Sequence, residues 1–241
     1  MSDAYEHPDE GGDVESPPSS VVQHFFGSRA GLAHAFAGHL ATSAVTRGLI
    51  GPRELPRLWT RHILNCGAVS SLVPAQARVA DVGSGAGLPG VVIAVARPDV
   101  DVTLVEPLLR RVTWLEEVAA DLGLTNVHVV RARAEELPKG AWDVATARAV
   151  APLDKLTRWC MPLVRAGGLM LAIKGRTAAD ELAAAENTLR RSGASAWRVL
   201  ELGGDVLDDP TVVVEVRKAE TATGVTGRRA TRSSSRSSRQ H

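Results

Sequence analysis

Residues 79–90 read VADVGSGAGLPG and predict the fold of the chain around them. The run RVADV before the glycines has the length and β-branched content of a buried strand, and LPGVVIAVA after them is apolar on every side, as a helix packed on a parallel sheet must be. Gly83, Gly85 and Gly87 therefore lie at a strand-to-helix turn. Glycines there permit positive φ and let backbone N–H groups approach a ligand closely, so the turn predicts a nucleoside-binding or phosphate-binding site.

The spacing of the glycines separates two classes of ligand. A dinucleotide fingerprint, G-x-G-x-x-G, needs its third glycine at position 88, but Leu88 stands there and the third glycine is Gly87. The carboxylate of Asp81 would repel a pyrophosphate, whereas it suits a cationic ligand without phosphate such as S-adenosylmethionine. Glu106 ends the next strand, DVTLVEP, where an acid binds the ribose diol that NAD and S-adenosylmethionine both carry.

The charge of the chain is unevenly distributed. The net charge of the 241 residues is only +1, but residues 1–20 contain six acids without Lys or Arg, and residues 220–241 contain five Arg and one acid. Both segments have too little apolar surface to offset their ordering entropy. We therefore expect a disordered acidic tail at 1–20, a single domain at 21–219 with N-terminal helices over 21–75 and a core over 76–219, and a disordered basic tail at 220–241.

The composition argues against secretion, membrane insertion and metal binding. Cys66 and Cys160 are far apart and form no C-x-x-C motif, so they indicate neither a disulfide framework nor a zinc site. His34 and His39 are five residues apart, which misses the spacing of a metal pair on one helix face. The N-terminus is acidic and no apolar run approaches 18 residues. The sequence predicts a soluble cytoplasmic protein that binds no metal.

Periodicity predicts an α/β fold. Two amphipathic helices, 28–47 and 53–72, precede an alternation of strands and helices, which indicates a parallel sheet covered on both faces. Strands are predicted at 78–83, 101–106, 127–132, 142–149 and 168–174, and helices at 88–97, 107–122, 153–164 and 177–193. The last two strands, AWRVLEL and TVVVEVRK, are separated by GGDVLDDP, which is short enough for a hairpin. We therefore expect a seventh strand that runs antiparallel at the edge of the sheet, as in methyltransferases and unlike dinucleotide-binding folds.

Five segments together resemble one known family. They are RHILN at 61–65, DVGSGAGLPG at 81–90, RARAEEL at 131–137, WDVATARAVAPL at 142–153 and LAIKGR at 171–176. Over roughly residues 55–218 the chain resembles the RsmG family, also called glucose-inhibited division protein B, the bacterial 16S rRNA guanine-N7 methyltransferases. The resemblance implies a Rossmann-like seven-stranded S-adenosylmethionine-dependent methyltransferase fold with an N-terminal helical extension. It also implies 16S rRNA, or a precursor of the small ribosomal subunit, as the partner of a monomer.

The resemblance also implies roles for individual residues. Gly83 and Leu88 would line the cofactor, Ala134 and Glu135 would meet its adenine, and Arg148 would reach it from the end of the fourth strand. Asn65 stands where the family usually has an acid. With the residues argued from the turn, the predicted cofactor site comprises Asp81, Gly83, Gly85, Gly87, Leu88, Glu106, Ala134, Glu135 and Arg148. Basic residues near the carboxyl ends of strands favour a polyanion, and the predicted RNA-binding residues are Arg110, Arg111, Lys174 and Arg176.

The chemistry that remains is methylation of a ring nitrogen. The fourth strand ends in ATARAVAP, which lacks the Asn-Pro-Pro or Asp-Pro-Pro acceptor motif of amino-group methyltransferases, and both cysteines fall on apolar helix positions, unlike a thiolate nucleophile. Guanine N7 has a free in-plane lone pair, so positioning can suffice. We assign no catalytic residue; Arg148, Lys174 and His62 are candidates for substrate positioning. An NAD-dependent oxidoreductase and a ribosome-binding module without activity are the alternatives.

Overall fold

The computed structural model describes residues 16–148 and 151–220. Its centre is a seven-stranded sheet in the order β3-β2-β1-β4-β5-β7-β6. The strands β1 to β5 are parallel to one another, and β7 is antiparallel to both of its neighbours. The predicted Rossmann-like methyltransferase fold is confirmed. The strands are β1 Arg78–Val82, β2 Asp101–Val105, β3 Val127–Val130, β4 Trp142–Arg148, β5 Val164–Lys174, β6 Ala194–Leu202 and β7 Thr211–Lys218.

The hairpin of β6 and β7 confirms one prediction and corrects another. The strand β7 is antiparallel, as the short GGDVLDDP connection predicts, but it lies between β5 and β6 instead of at the edge. Its residues Val213, Val214 and Val216 are fully buried, whereas every residue of β6 is exposed or half-buried. A strand that pairs on both sides and is covered on both faces needs such an apolar run, so the interior position goes to β7 and the edge position to β6.

Four helices pack on the two faces of the sheet. They are α4 Gly90–Ala96, α5 Leu109–Asp121, α6 Leu153–Cys160 and α7 Ala178–Arg191. Two apolar clusters fill the space between helices and sheet, one on each face. The helix α4 is the most deeply buried, with Gly90 to Val95 all inaccessible to solvent, as its uniformly apolar sequence requires.

The N-terminal segment is helical but less regular than predicted. Helix α1, Ser19–Phe26, was missed, and it begins inside the segment 1–20 assigned to the acidic tail; Ser19 and Ser20 are therefore helical. Helix α2, Ala30–His39, continues as a π-helical turn over Leu40–Ala44. The predicted helix 53–72 is a succession of shorter pieces: a 3₁₀ segment Pro52–Arg57, a π-helical segment Leu58–Ile63, helix α3 Leu64–Val69 and a 3₁₀ turn Ser70–Leu72.

The N-terminal helices share the core of the sheet. Phe36, Leu40, Leu58 and Ile63 are buried in the same apolar cluster as β1 and α4. None of the helices in the described ranges is both long and apolar enough to cross a lipid bilayer. The same ranges contain no group of three or more His, Cys, Asp or Glu side chains that could hold a metal ion. The predictions for residues 1–15 and 221–241 fall outside the described residues.

Candidate cofactor and substrate sites

The glycine turn lies at the carboxyl end of β1, between that strand and α4. Gly83, Gly85 and Gly87 all have positive φ, at 73°, 56° and 76°. At Gly87 a Cβ atom would also lie 2.6 Å from a methyl carbon of Val91, so glycine is required there for packing as well. At Gly85 the nearest atom to such a Cβ would be the carbonyl oxygen of Gly83 at 3.8 Å. The outer side of the turn at Gly85 is therefore open and available to a ligand.

Asp81 is buried behind this turn and connects the end of β1 to the start of α4. Its Oδ2 accepts a hydrogen bond of 3.0 Å from the backbone N–H of Gly90, the first residue of α4. Its other oxygen, Oδ1, is buried and has no hydrogen-bond partner among the described residues. Burial raises the pKa of Asp81 to about 7, in spite of the hydrogen bond from Gly90. The acid that the sequence assigned to the ligand thus has one structural contact and one uncommitted oxygen.

Glu106 joins the end of β2 to the same turn. Its Oε2 accepts a hydrogen bond of 3.1 Å from the N–H of Gly85, and its Oε1 accepts one of 3.0 Å from the N–H of Leu108. The guanidinium of Arg111 lies 3.5 Å from Oε2. The Glu106 side chain is only 2% exposed, whereas that of Arg111 is 33% exposed. Arg111, which the sequence assigned to RNA, is therefore placed beside the predicted cofactor site.

The other residues predicted for this site lie around the same edge of the sheet. Leu88 is half-buried against the apolar cluster of α4. Ala134 and Glu135 lie on a 3₁₀ turn just after β3, where Ala134 is buried against the cluster that contains Val82 and Glu135 is exposed. Arg110 is exposed in the first turn of α5.

A second site lies on the same edge, two strands further along. A cavity of about 960 Å³ opens between the N-terminal helices and the ends of β4, β5 and β7. Its wall includes cationic and anionic side chains. The cations are Arg57, Arg61, Arg148, Lys174 and Arg176, and the anions are Glu181, Asp208 and Asp209. Three of the residues predicted from the sequence, Arg148, Lys174 and Arg176, are thus brought together in one cavity.

Arg148 reaches this cavity from the last position of β4 and is held by the N-terminal segment. Its Nη2 lies 3.1 Å from the carbonyl oxygen of Arg61 and 2.6 Å from Nδ1 of His62. Its Nη1 lies 3.5 Å from Sγ of Cys66. The Nε2 of His62 lies 2.8 Å from a carboxylate oxygen of Glu54. His62 therefore lies beside Arg148, a contact between residues that are 86 positions apart in the chain.

Lys174, which the sequence assigned to RNA binding, is more buried than an RNA contact should be. Its side chain is 7% exposed, and its ammonium donates hydrogen bonds of 2.7 Å to Glu181 and 2.8 Å to the carbonyl oxygen of Ala151. The same oxygen of Glu181 accepts the backbone N–H of Leu153 at 2.9 Å. These contacts tie the start of α6 to α7 and the end of β5. Arg176, by contrast, is exposed at the rim of the cavity.

Neither cysteine is available as a nucleophile. Both are free and buried. Burial raises the pKa of Cys160 to about 12, and it also raises the pKa of Cys66. The prediction that both are core residues is confirmed.

Comparison with known proteins gives the family. Residues 30–207 match the family model GidB, described as rRNA small subunit methyltransferase G. The chain belongs to this family. Proteins named ribosomal RNA small subunit methyltransferase G match along most of their length: that of Salinispora arenicola is 52% identical over 86% of this chain and 89% of its own. The protein of that name from a Nocardioides species is 54% identical over 85% of this chain and 82% of its own.

Solved structures resemble the GidB chain in fold alone. A putative S-adenosyl-L-methionine-dependent methyltransferase from Methanococcus maripaludis superposes with a TM-score of 0.55 at 13% identity, covering 88% of this chain and all of its own. A SAM-dependent O-methyltransferase from Thermotoga maritima superposes with a TM-score of 0.52 at 16% identity, covering 65% of each chain. Both likenesses are therefore to the fold of this chain and not to its sequence.

Sequence reasoning missed two parts of the second site. Glu54 was not selected, although it lies eight residues before His62. A regular helix would separate these two residues by about 12 Å along its axis, and the change from 3₁₀ to π-helical geometry between them brings them into contact. The wall formed by Asp208 and Asp209 was missed as well, because their loop reads only as a hairpin connection.

Proposed function

We propose that this GidB protein transfers the methyl group of S-adenosylmethionine to N7 of a guanine in 16S rRNA. The observation that carries the proposal is the position of the two sites on one edge of the sheet. β1 and β4 are neighbours, and Asp81 pairs in register with Thr146, two residues before Arg148. Arg148 thus ends β4 beside the turn that follows β1, so the glycine turn and the cationic cavity are adjacent.

The residues of the glycine turn fit S-adenosylmethionine. When bound, this cofactor supplies a methyl group activated by a sulfonium. The open side of Gly85 leaves room for a ligand at the turn, and Oε1 of Glu106, which accepts only the N–H of Leu108, keeps a lone pair for a ribose hydroxyl. The uncommitted oxygen of Asp81 adds an acceptor behind the turn. We propose that these residues hold the cofactor together with Gly83, Gly87, Leu88, Ala134 and Glu135.

The cavity fits a guanine nucleotide and its phosphates. Guanine presents the acceptors O6 and N7 on one edge, where adenine presents an amino donor beside N7. A wall that carries the guanidinium groups of Arg61 and Arg148 offers donors to O6, which favours guanine, while N7 keeps its lone pair for the methyl group. The exposed Arg57 and Arg176 at the same cavity can neutralise RNA phosphates. Lys174 supports this wall through Glu181.

The arrangement needs no general base. Guanine N7 has no proton to lose, and burial keeps both cysteines in the thiol form at neutral pH. The contribution of the chain is then orientation of the base relative to the cofactor, which can lower a barrier by roughly 7–11 kcal/mol in favourable cases. Since the N-terminal segment and the sheet share one apolar core, we propose that residues 21–219 act as a single unit, as a monomer in the cytoplasm.

The test is methyl transfer to small-subunit RNA from a strain that lacks this protein. With tritiated S-adenosylmethionine, nucleoside analysis should recover the label as 7-methylguanosine, at one position and only in RNA from the deletion strain. RNA from the parent strain is the control, because its site is already methylated. Label in a pyrimidine or on an exocyclic amine would contradict the proposed chemistry, and absence of label in both naked RNA and isolated small subunits would contradict the function.

A further inference from the structure

A chain of polar contacts runs from the 3₁₀ segment through the π-helical segment to the end of β4. Glu54 contacts His62 at 2.8 Å, and His62 contacts Arg148 at 2.6 Å. Only 12% of the His62 side chain is exposed, and 30% of the Glu54 side chain. The contacts therefore lie largely out of solvent, where hydrogen bonds are strong and an unpaired group is costly.

The chemistry of the three side chains fixes which atom donates to which. A guanidinium has only donors, so Nδ1 of His62 must accept from Arg148. An imidazole that accepts at Nδ1 carries its proton on Nε2, and Nε2–H then donates to the carboxylate of Glu54. The geometry thus requires a neutral imidazole in the Nε2–H form.

The surrounding charges favour the same state. Burial lowers the pKa of His62 to about 4, and the neighbouring charges of Arg148 and Arg61 act in the same direction, while Glu54 opposes them. On α3, the Cys66 thiol contacts the other guanidinium nitrogen of Arg148, and burial keeps that thiol protonated. Among the described residues, the charged groups that act on the imidazole are Glu54, Arg61 and Arg148. His62 is therefore uncharged at neutral pH.

We propose that Glu54 is a positioning residue for methyl transfer: through His62 it holds the guanidinium of Arg148 in one orientation on the wall of the cavity. The inference rests on the proposed function. The carboxylate and the guanidinium select the tautomer together, because Glu54 accepts a hydrogen bond from Nε2 while Arg148 donates one to Nδ1. Without Glu54 the proton can move to Nδ1, where an N–H would face the N–H of Arg148. The guanidinium would then lose one of its anchors and turn away from the cavity wall.

Two substitutions at Glu54 separate positioning from packing. Glu54→Leu removes the acceptor, whereas Glu54→Gln keeps a carbonyl oxygen that can accept from Nε2–H. We expect kcat/KM for RNA methylation to fall on the order of 10- to 100-fold in Glu54→Leu, the size that misplacement by about 1 Å can produce. Glu54→Gln should stay within about twofold of the parent because the acceptor remains. Glu117→Leu is the matched control: it removes another carboxylate that contacts an arginine, Arg47, at an exposed position.

The second readout does not depend on activity. Long-range ¹H–¹⁵N spectra of the full chain, with His62 assigned by its disappearance in His62→Gln, should show the Nε2–H tautomer from about pH 6 to 8, a range above the lowered pKa of His62. Glu54→Leu should shift the signal toward the Nδ1–H form, and Glu54→Gln should not. A protonated or Nδ1–H imidazole in the parent protein at pH 7 would overturn the proposal. Parent-like kcat/KM in Glu54→Leu would do so too, and so would equal losses in both Glu54 variants.

These readouts distinguish two kinds of failure. If the parent protein methylates no RNA, the proposed function fails. The spectra of the Glu54 variants still show whether Glu54 determines the tautomer of His62. If the parent protein methylates RNA but His62 keeps the same tautomer in Glu54→Leu, only the positioning role of Glu54 fails. Should Glu54→Leu not fold, Glu54→Ala removes the same acceptor with a smaller side chain and gives both readouts.

Discussion

The glycine-turn site and the Arg148 cavity lie on one edge of one sheet, yet they are built in different ways. The first takes most of its residues from one stretch, Asp81 to Glu106, in which backbone N–H groups donate hydrogen bonds to the two carboxylates. The second assembles side chains from the N-terminal segment, β4, β5 and the β6–β7 loop. Each buries one titratable group with a large pKa change, upward for Asp81 and downward for His62. In both cases burial favours the uncharged form, whichever side chain is involved.

The largest effect should come from closing the glycine turn. Valine at position 85 would hold a positive φ of 56° against its preference and fill the open side of the turn. We expect Gly85→Val to abolish binding of S-adenosylmethionine in calorimetry. Gly140→Val is the control, since Gly140 has a similar φ of 66° before β4 on the opposite edge. Both variants should lose about 1–3 kcal/mol of stability from strain, but only the first should lose binding. Unchanged affinity in Gly85→Val would remove the turn from the cofactor site.

The opposite pKa changes predict opposite pH dependences of stability. Because the pKa of His62 is about 4 in the folded chain, the unfolded chain takes up a proton first as the pH falls from about 6.5, and folding loses stability down to about pH 4. Asp81 does the reverse: with a folded pKa of about 7, the folded chain takes up the proton first, and stability rises as the pH falls from 7 toward 4. The contribution amounts at most to about 3 kcal/mol for His62 and about 4 kcal/mol for Asp81.

The two contributions largely cancel in the parent protein, so single variants should expose them. Urea unfolding between pH 4.5 and 7.5 should show His62→Gln becoming more stable relative to the parent as the pH falls, and Asp81→Asn becoming less stable. The double variant should again follow the parent. Parallel curves for all four proteins would mean that neither group has its stated pKa.

Removing the ribose acceptor should have a moderate effect. Glu106→Ala is expected to weaken binding of S-adenosylmethionine by about 1–3 kcal/mol, the range for hydrogen bonds to a charged group. Glu106→Gln should lose less, because one oxygen can still accept from Gly85 or a hydroxyl. Calorimetry of both variants measures the difference. A loss below a few tenths of a kcal/mol in Glu106→Ala would leave Glu106 with only its contact to the turn.

A smaller effect is expected from the basic segment 221–241, which lies outside the described residues. It carries five arginines, which can neutralise phosphates without fixing a base. Its deletion should weaken RNA binding and flatten the salt dependence of the affinity, with turnover at saturating RNA unchanged. Filter binding at several salt concentrations tests this, and a large fall in saturated turnover would show that the segment helps to build the cavity.

The smallest expected effect is that of pH on the chemical step. Neither group with a shifted pKa in the proposed sites acts as a base on the substrate between about pH 6 and 8.5: His62 is neutral throughout that range, and Asp81, whose pKa is about 7, lies behind the cofactor turn, where saturating cofactor offsets its titration. Single-turnover methyl transfer at saturating cofactor and RNA should therefore be nearly constant. A rise of unit slope below pH 7 that disappears in His62→Gln would make His62 a general base.

The sequence predicts the site formed by one stretch of chain better than the site formed by distant segments. The glycine turn, Asp81 and Glu106 are readable because strand, turn and helix signals follow one another in the chain. The contact of His62 with Arg148 is not, since no local periodicity relates residues 86 positions apart. The same holds for the sheet: the hairpin connection predicts the direction of β7 but not its place. The run Val212 to Val214 gave a usable signal for an interior strand, and Val22 and Phe26, four apart, gave one for α1.

The interior place of β7 also has a consequence for the order in which the protein can form. All six other strands precede β7 in the chain, so a ribosome delivers it after them. Until Thr211–Lys218 has emerged, β5 and β6 have no partner on the sides that β7 will occupy, and both expose unpaired backbone groups. Native pairing along the whole sheet is thus a late event with long sequence separations, a kind of topology that folds slowly. During synthesis the edge of β5, the strand that carries Lys174, therefore stays unpaired until β7 is available.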